Sequence, residues 1–235
     1  MSDNRYIMES RKAKLLTLVI DNYIRAAEPV GSRFLVDKCD LEVSEATVRN
    51  ELRELEEEGF LTHPHTSAGR TPTAKGYEYY LSCLDLAAVE AKEQEKNTLE
   101  EAFEIISDYE AACKNLAKSL VCLSDELVLI AFSPEEIYYT GLSNLFQKPD
   151  FSEMKLIVDV SQIFDRCEEY LSDFFDSVND EPRFFLGDEH PFGEMLSVVS
   201  AKFGKRNESL IALIGPMRMD YKKNMRLMKK IKELI

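Results

Sequence analysis

The sequence contains no tryptophan, only three histidines and only five cysteines in 235 residues. The cysteines are isolated and odd in number, with no Cys-x-x-Cys pair, which favours reduced and mostly buried thiols. No apolar run approaches the about 20 residues needed to span a bilayer. These absences exclude a disulfide-stapled secreted domain and a transmembrane helix. The scattered cysteines are Cys39, Cys83, Cys113, Cys122 and Cys167.

Catalytic and targeting motifs are also missing. The N-terminus lacks an apolar signal core, so we expect a cytoplasmic protein. There is no Gly-rich phosphate loop, no Gly-x-Ser-x-Gly elbow and no His-Glu-x-x-His helix, so we predict that the chain is not an enzyme and has no cofactor. His63 and His65 with Cys83 are too few ligands to predict a metal site, since such sites use three or four.

The charge is strongly negative, at −14, which argues against a general nucleic-acid binder. Residues 1–80 carry eleven Lys/Arg against fourteen Asp/Glu, so most of the excess lies further along the chain. Glu56, Glu57 and Glu58 form an acidic end to one predicted helix. A set of cations could instead gather on one side of the N-terminal region, namely Arg5, Arg11, Lys12, Lys14, Arg49, Arg53, Arg70 and Lys75.

The stretch from Val43 to Leu61 predicts a helix whose exposed side suits the DNA major groove. Ser44 is a suitable N-cap, Gly59 suits the left-handed residue that ends a helix, and an apolar row between them predicts a core face. Asn can pair with adenine, Arg with guanine, and Ala or Thr methyls can contact thymine. The candidate DNA-reading residues are Ser44, Ala46, Thr47, Arg49, Asn50 and Arg53. An amphipathic helix with an ordinary solvated face is the alternative.

The flanking segments predict a winged helix-turn-helix domain over residues 1–85. Two helices precede the candidate recognition helix, and two short strand-like runs joined by a Pro/Gly/Ser/Thr loop follow it. We expect the tip of this wing to contact phosphates or the minor groove through His65, Thr66, Ser67 and Arg70. For Arg70, a salt bridge that holds the hairpin together is the alternative.

Five short motifs stand out, four in order in the N-terminal region and one near the C-terminus. They are Glu28-Pro-Val-Gly-Ser32, Ser44-Glu-Ala-Thr-Val-Arg-Asn50, Pro64-His-Thr-Ser-Ala-Gly-Arg70, Lys75-Gly-Tyr77 and Ile214-Gly-Pro-Met-Arg-Met-Asp-Tyr221. Together they resemble the motifs of the heat-inducible transcription repressor family called HrcA.

The resemblance implies a dimeric repressor that binds an inverted-repeat operator of chaperone genes and is released on heat shock. It also implies a chaperonin partner and a GAF-like domain carrying an inserted dimerisation domain. Only three residues separate Phe132 from Glu136, where the family continues with strands and the insertion. We therefore expect a shortened GAF-like domain without the insertion, and the family's mode of dimerisation cannot be transferred.

The overall expectation is an α+β chain: the winged helix-turn-helix domain, a helical linker over 86–97, and a reduced GAF-like α/β domain over 98–235 that dimerises. Within the last part, periodicity predicts one long helix from Thr98, another over Met154–Ser177, and helix over Phe192–Phe203. Strands are predicted over 126–132, 136–139, 182–186 and 209–214, and a final helix is capped by Asp220.

Two function classes remain open at this point. The first is a sequence-specific DNA-binding repressor of chaperone genes. The second is a winged-helix protein-interaction module or ligand-sensing regulator that does not bind an operator. The side chains of Asn50, Arg53 and Arg70 distinguish the two classes, because only the first requires them for DNA binding.

Overall fold

The computed structural model describes residues 8, 10–39, 41, 43–64, 69–204 and 208–235. The chain divides into two compact units, residues 1–84 and 85–235. Both helices and antiparallel sheets are present, so the α+β class is confirmed. Within the described residues, no helix combines the length and apolar character needed to cross a bilayer.

The first unit is a helical core closed by a short hairpin. Its elements, in order, are α1 (Ser10–Ala26), α2 (Ser32–Lys38), α3 (Glu45–Glu57), β1 (Leu61–Thr62), β2 (Thr71–Pro72) and α4 (Ala74–Cys83). Strands β1 and β2 pair antiparallel. The apolar faces of the helices meet in one core, which includes Leu15, Leu16, Val19, Ile20, Leu35, Val48, Leu52, Leu55, Phe60, Tyr77 and Tyr80.

The second unit is a five-stranded antiparallel sheet in the order β4-β3-β7-β6-β5. The strands are β3 (Leu127–Ala131), β4 (Ile137–Thr140), β5 (Arg183–Leu186), β6 (Leu196–Phe203) and β7 (Ser209–Pro216). The helices are α5 (Glu93–Glu104), α6 (Tyr109–Ser124), α7 (Leu142–Phe146), α8 (Met154–Asp165), α9 (Cys167–Ser177) and α10 (Tyr221–Leu234).

Helices cover both faces of this sheet, and its inner strand β3 is apolar throughout. Alternate residues of β3 point to opposite faces: Leu127 and Leu129 join a core with α8 and α9, whereas Val128 and Ile130 join a core with α5, α6 and α10. Every residue of β3 and β7 is buried. A continuous apolar run is the expected pattern for a strand that is covered on both sides.

One predicted helix is wrong. Residues 196–203, part of the helix expected over Phe192–Phe203, form strand β6, which pairs with β5 on one side and β7 on the other. All but one residue of this segment is buried. Its apolar residues therefore form a nearly continuous run, which does not distinguish a buried helix from a buried strand. Val198 and Val199 are β-branched and favour the extended backbone.

Two other helices are interrupted where continuous helix was expected. The helix from Thr98 ends at Glu104, and α6 starts again at Tyr109, because Asp108 caps it by accepting a hydrogen bond from the Ala111 amide at 2.8 Å. The helix over Met154–Ser177 breaks at Arg166 between α8 and α9.

The segment predicted as a helical linker, residues 86–97, is helical only from Glu93. Glu95 is buried and accepts three hydrogen bonds from the Arg226 side chain of α10, at 2.8, 2.9 and 3.2 Å. Lys229 donates to the carbonyl oxygens of Leu86 and Ala87, both at 2.7 Å. These contacts hold the segment against α10 of the same unit, which a solvated linker would not do.

The C-terminal motif, residues 214–221, forms the turn from β7 into α10, and contacts with its side chains stabilise that turn. Gly215 leaves room for Glu126, since a Cβ at this glycine would lie 2.2 Å from the Glu126 carboxylate. Arg218 binds Asp150 with its Nε–Oδ1 distance at 3.0 Å. As predicted, Asp220 caps α10, accepting from the Lys223 amide at 3.0 Å.

Glu126 is buried beside this turn, next to the ammonium group of Lys148 at 2.9 Å. Burial raises the pKa of Glu126 from 4.5 to about 7, and Lys148 opposes part of that rise. Between pH 4.5 and about 7 the folded protein therefore keeps a proton that the unfolded chain has released. The stability from this proton is complete below pH 4.5 and is lost as pH rises through about 7.

Substitution Glu126→Gln should flatten the pH dependence of the stability of the second unit. Glu126 should contribute a loss of about 3 kcal/mol in the free energy of unfolding between pH 4.5 and 8, and glutamine should remove that loss. Urea unfolding followed by circular dichroism at both pH values tests this. The control is Glu104→Gln, at an exposed glutamate of α5, which should keep the wild-type dependence. Equal pH dependence in wild type and Glu126→Gln would contradict the assignment.

Candidate nucleic-acid interface

Both ends of α3 are fixed by local hydrogen bonds. Ser44 accepts a bond from the Thr47 amide at 3.2 Å, as an N-cap does. At the other end Gly59 adopts a left-handed φ of 80°, its amide donates to Glu56, and the Phe60 amide donates to Leu55. This pair of bonds is the Schellman arrangement, and glycine allows it because no Cβ opposes the positive φ. Sequence therefore predicted the limits of this helix correctly.

The core side of α3 consists of Val48, Leu52 and Leu55, each at most 3% exposed. Their burial turns the opposite side of the helix outward. Ala46, Asn50, Arg49 and Arg53 are exposed, as is the N-cap Ser44. Thr47 is half-buried, and its hydroxyl lies 2.9 Å from the Ser44 hydroxyl at the start of the helix.

The two exposed arginines of α3 pair within their own helix. Arg49 Nη2 lies 2.5 Å from Glu45, and Arg53 Nε lies 3.5 Å from Glu57. Both are surface pairs at i,i+4 spacing, which contribute only about 0.3–0.5 kcal/mol. Such pairs cost little to exchange, so each guanidinium can move from its glutamate to an incoming anion or base edge.

The acidic residues on the flank of α3 are matched by cations from α1. Arg11 pairs with the buried Glu51, and Lys12 lies 2.7 Å from Glu54 and 3.0 Å from Glu58. Hydrogen bonds to these two glutamates raise the pKa of Lys12 well above its usual range. Arg11 and Lys12 thus do not join the exposed arginines on one side, as the sequence suggested, but neutralise the carboxylates of α3.

Lys75 has a similar local role at the end of α3. Its ammonium group donates to the Glu58 carbonyl at 2.8 Å and lies 4.4 Å from the centre of the Phe60 ring. A cation at this position interacts favourably with the negative end of the helix dipole. Lys75 therefore stabilises the junction of α3 with the hairpin.

Glu56 links α3 to both strands of the hairpin. Its carboxylate lies 2.8 Å from Arg70 Nε and also contacts the His63 ring. His63 follows β1 and Arg70 precedes β2, so one side chain holds the base of the hairpin. Arg70 is 21% exposed in its side chain, which agrees with the alternative role as a hairpin salt bridge. Residues His65, Thr66 and Ser67, predicted at the tip, lie outside the described residues.

The hairpin also packs against the loop between α1 and α2. Val30 and Arg70 exchange two backbone hydrogen bonds, at 2.9 and 2.8 Å. A Cβ at Gly69 would lie 2.5 Å from the Val30 carbonyl carbon and 2.7 Å from the Pro29 backbone. The motif that contains Pro29 and Val30 is therefore in direct contact with the motif that contains Gly69 and Arg70. A side chain at position 69 would overlap the facing backbone, so this position requires glycine.

The family model described as the HrcA protein C-terminal domain matches residues 83–225. The chain belongs to the HrcA family. The resemblance drawn from the sequence motifs is therefore confirmed, and the matched residues include nearly all of the second unit.

Curated relatives named heat-inducible transcription repressor HrcA include proteins from two bacteria. The protein from Acetivibrio thermocellus is 43% identical over 113 residues, which cover 48% of this chain and 30% of that protein. The protein from Halalkalibacterium halodurans is 35% identical over 156 residues, which cover 66% of this chain and 45% of that protein. This HrcA-family chain therefore matches less than half the length of either relative.

A solved structure of a hypothetical protein has the same fold, with a TM-score of 0.80 and 97% of each chain covered. Its sequence identity to this chain is 19%, so the likeness concerns fold alone.

Sequence reasoning missed two residues of this surface. Glu56 was assigned only to the acidic end of a helix, and Glu45 was not considered, although it contacts both Arg49 and the Ser32 hydroxyl, the latter at 3.2 Å. The i,i+4 spacing of Glu45 and Arg49 was a usable signal. The contact of Glu56 with Arg70 joins residues 14 positions apart across a hairpin, and no local spacing predicts it.

Substitution Gly69→Ala should destabilise the first unit by about 1–3 kcal/mol, because a methyl group would overlap the Val30 and Pro29 backbone. Gly31→Ala is the matched control: nothing lies within 4 Å of a Cβ there, and φ is −94°. The control should lose less than about 1 kcal/mol. Urea unfolding of both variants measures the difference. Equal losses in the two variants would refute the close-contact argument.

Proposed function

We propose that this chain is a sequence-specific DNA-binding transcriptional repressor of heat-shock (chaperone) genes. In this proposal residues 1–85 are a winged helix-turn-helix domain, with α3 as the recognition helix and the β1–β2 hairpin as the wing. The supporting observation is the exposed row of Ala46, Asn50 and Arg53 on a helix that is capped at both ends.

The charge distribution supports the same function. The carboxylates of Glu51, Glu54 and Glu58 are occupied by Arg11 and Lys12, so they are partly neutralised before any anion approaches. The remaining acidic charge of the chain repels DNA elsewhere and lowers non-specific affinity. The expected result is a selective binder of modest affinity with a clear dependence on salt.

We assign the remaining roles in line with family membership. Residues 98–235 would form a shortened GAF-like domain that dimerises, although the segment between β3 and β4 leaves no room for an inserted dimerisation domain. A homodimer would place two α3 helices about 34–36 Å apart, or a multiple of that, on an inverted repeat. A chaperonin partner is part of the same proposal, and its support is the family resemblance alone.

The roles of the individual residues follow from their surroundings. Asn50 and Arg53 would read base edges, and Arg49 would exchange Glu45 for a phosphate or base. Ser44, Ala46 and Thr47 would allow the start of α3 to approach the DNA closely. Arg70 would act from the base of the wing, where Glu56 orients it, and His65, Thr66 and Ser67 would contact the backbone from its tip.

Asn50→Ala and Arg53→Ala should each weaken binding to an inverted-repeat duplex by about 1–3 kcal/mol and relax preference at one base position in each half-site. The duplex is obtained by selection from a randomised pool with the wild-type chain. Fluorescence anisotropy at two salt concentrations then measures affinity for the selected duplex and for a scrambled one.

Lys118→Ala is the control for the Arg53 variant, because it removes one exposed positive charge from α6 in the second unit. It should leave the affinity within about twofold of the wild-type value. If selection enriches no sequence, or if both α3 variants bind like wild type, the repressor proposal fails. A winged-helix interaction module without operator binding would then be the better description.

A further inference from the structure

Helices α8 and α9 and the 3-10 turn Gly187–Glu189 border an open groove on the second unit. It has two adjoining lobes, of about 410 and about 390 Å³. Tyr170 and Pro191 line both lobes, so the two form one continuous depression. Each lobe is of the size that accommodates one large side chain or a small ligand.

Acidic side chains line the groove. Six carboxylates border its two lobes, against one guanidinium, that of Arg166. Arg166 is already bound by Glu169, with Nε 3.0 Å from the carboxylate. The acidic residues are Asp159, Asp165, Glu169, Asp173, Asp188 and Glu189.

His190 also lines the groove but adds no compensating charge. Its ring is buried: Nε2 donates to the Leu196 carbonyl at 3.0 Å, and Nδ1 accepts from the Phe192 amide at 3.3 Å. Desolvation lowers the pKa of His190 to about 4, so the ring is neutral near pH 7. The groove therefore keeps its negative charge.

Apolar side chains continue from the groove along α8. Met154 is 72% exposed and Val158 is 44% exposed, and both lie on the same helical face as Gln162 of the groove because they are spaced by four residues. Tyr170, inside the groove, is 43% exposed. Only Val160 and Phe164 of α8 are fully buried, so this apolar helix leaves much of its surface uncovered.

We propose that this α8–α9 groove is a docking site for a cationic, amphipathic segment of another protein. The apolar row of Met154 and Val158 would receive the aliphatic side of the segment, and the carboxylates would receive its Lys or Arg side chains. Arg166 shows how such a cation would lie, with its guanidinium carbon 5.7 Å from the centre of the Tyr170 ring and its nitrogens on Glu169.

Charge complementarity favours a cationic segment over the two alternative partners, a nucleic acid and a second copy of this chain. A nucleic acid would meet six carboxylates and is repelled. A second copy of the chain, packed symmetrically, would bring the same acidic groove against itself, which costs energy through like-charge contact. A cationic segment meets the opposite sign and an apolar row at once. This site is separate from the DNA-binding proposal and does not depend on it.

A designed 18-residue helical peptide of lysine and leucine, arranged amphipathically, serves as the probe for the full-length chain. The same peptide with glutamate in place of lysine is the charge control. Peptide anisotropy measures affinity, and amide chemical shifts of the labelled protein locate the site. The lysine peptide should bind with shifts centred on α8 and α9, and more weakly as salt increases, whereas the glutamate peptide should not bind.

Two sets of substitutions test whether the site is specific. The groove variant Asp159→Asn, Asp165→Asn, Asp173→Asn should weaken binding about tenfold, and Tyr170→Ala should weaken it by about tenfold or more. The matched control Glu101→Gln, Glu104→Gln, Glu135→Gln has the same net charge and should stay within about twofold. All six positions are exposed, so folding is preserved. Equal weakening by both triple variants, binding of the glutamate peptide, or shifts away from the groove would overturn the proposal.

Discussion

The burial of Val48, Leu52 and Leu55 sets the rotation of α3 about its axis, and the arrangement of the first unit follows from it. Once those three side chains are in the core, Ala46, Asn50 and Arg53 must face outward. The same rotation directs Glu51, Glu54 and Glu58 toward the cations of α1, and Glu56 toward the hairpin. The burial of one apolar face thus determines which way each charged side chain of this acidic helix points.

Carboxylates dominate the composition, and the structure uses them in different ways according to their burial. Glu56 connects a helix to a hairpin, Glu95 connects α5 to α10, and Glu126 is buried where Gly215 makes room for it. Each of these carboxyl groups lies within 2.9 Å of a cationic side chain, which offsets part of the cost of removing the group from water. Those along the α8–α9 groove are solvated instead and produce a negative surface next to exposed apolar side chains.

Motifs that are far apart in the sequence meet in space. The Pro29-Val30 segment touches Gly69 and Arg70, and the C-terminal turn containing Gly215 and Arg218 contacts Glu126 and Asp150. Gly69 and Gly215 are explained by backbone or carboxylate atoms that would lie within 3 Å of a Cβ at these positions. The motif residues named here therefore make tertiary contacts within each unit, whereas Asn50 and Arg53 of α3 are exposed and have no such packing role.

By itself the sequence determined the features that depend on neighbours along the chain. Ser44 and Asp220 act as N-caps and Gly59 ends α3, because a cap needs only the next few amides or carbonyls. The outward row of α3 follows from helical spacing in the same way. Tertiary structure alone decided that residues 196–203 form a strand, since a fully buried segment is apolar in either conformation and only its pairing with β5 and β7 selects one. It also decided that Arg70 rests on Glu56 and that the carboxylates of α8, α9 and the turn after β5 surround one groove, because those contacts join residues that no local spacing relates.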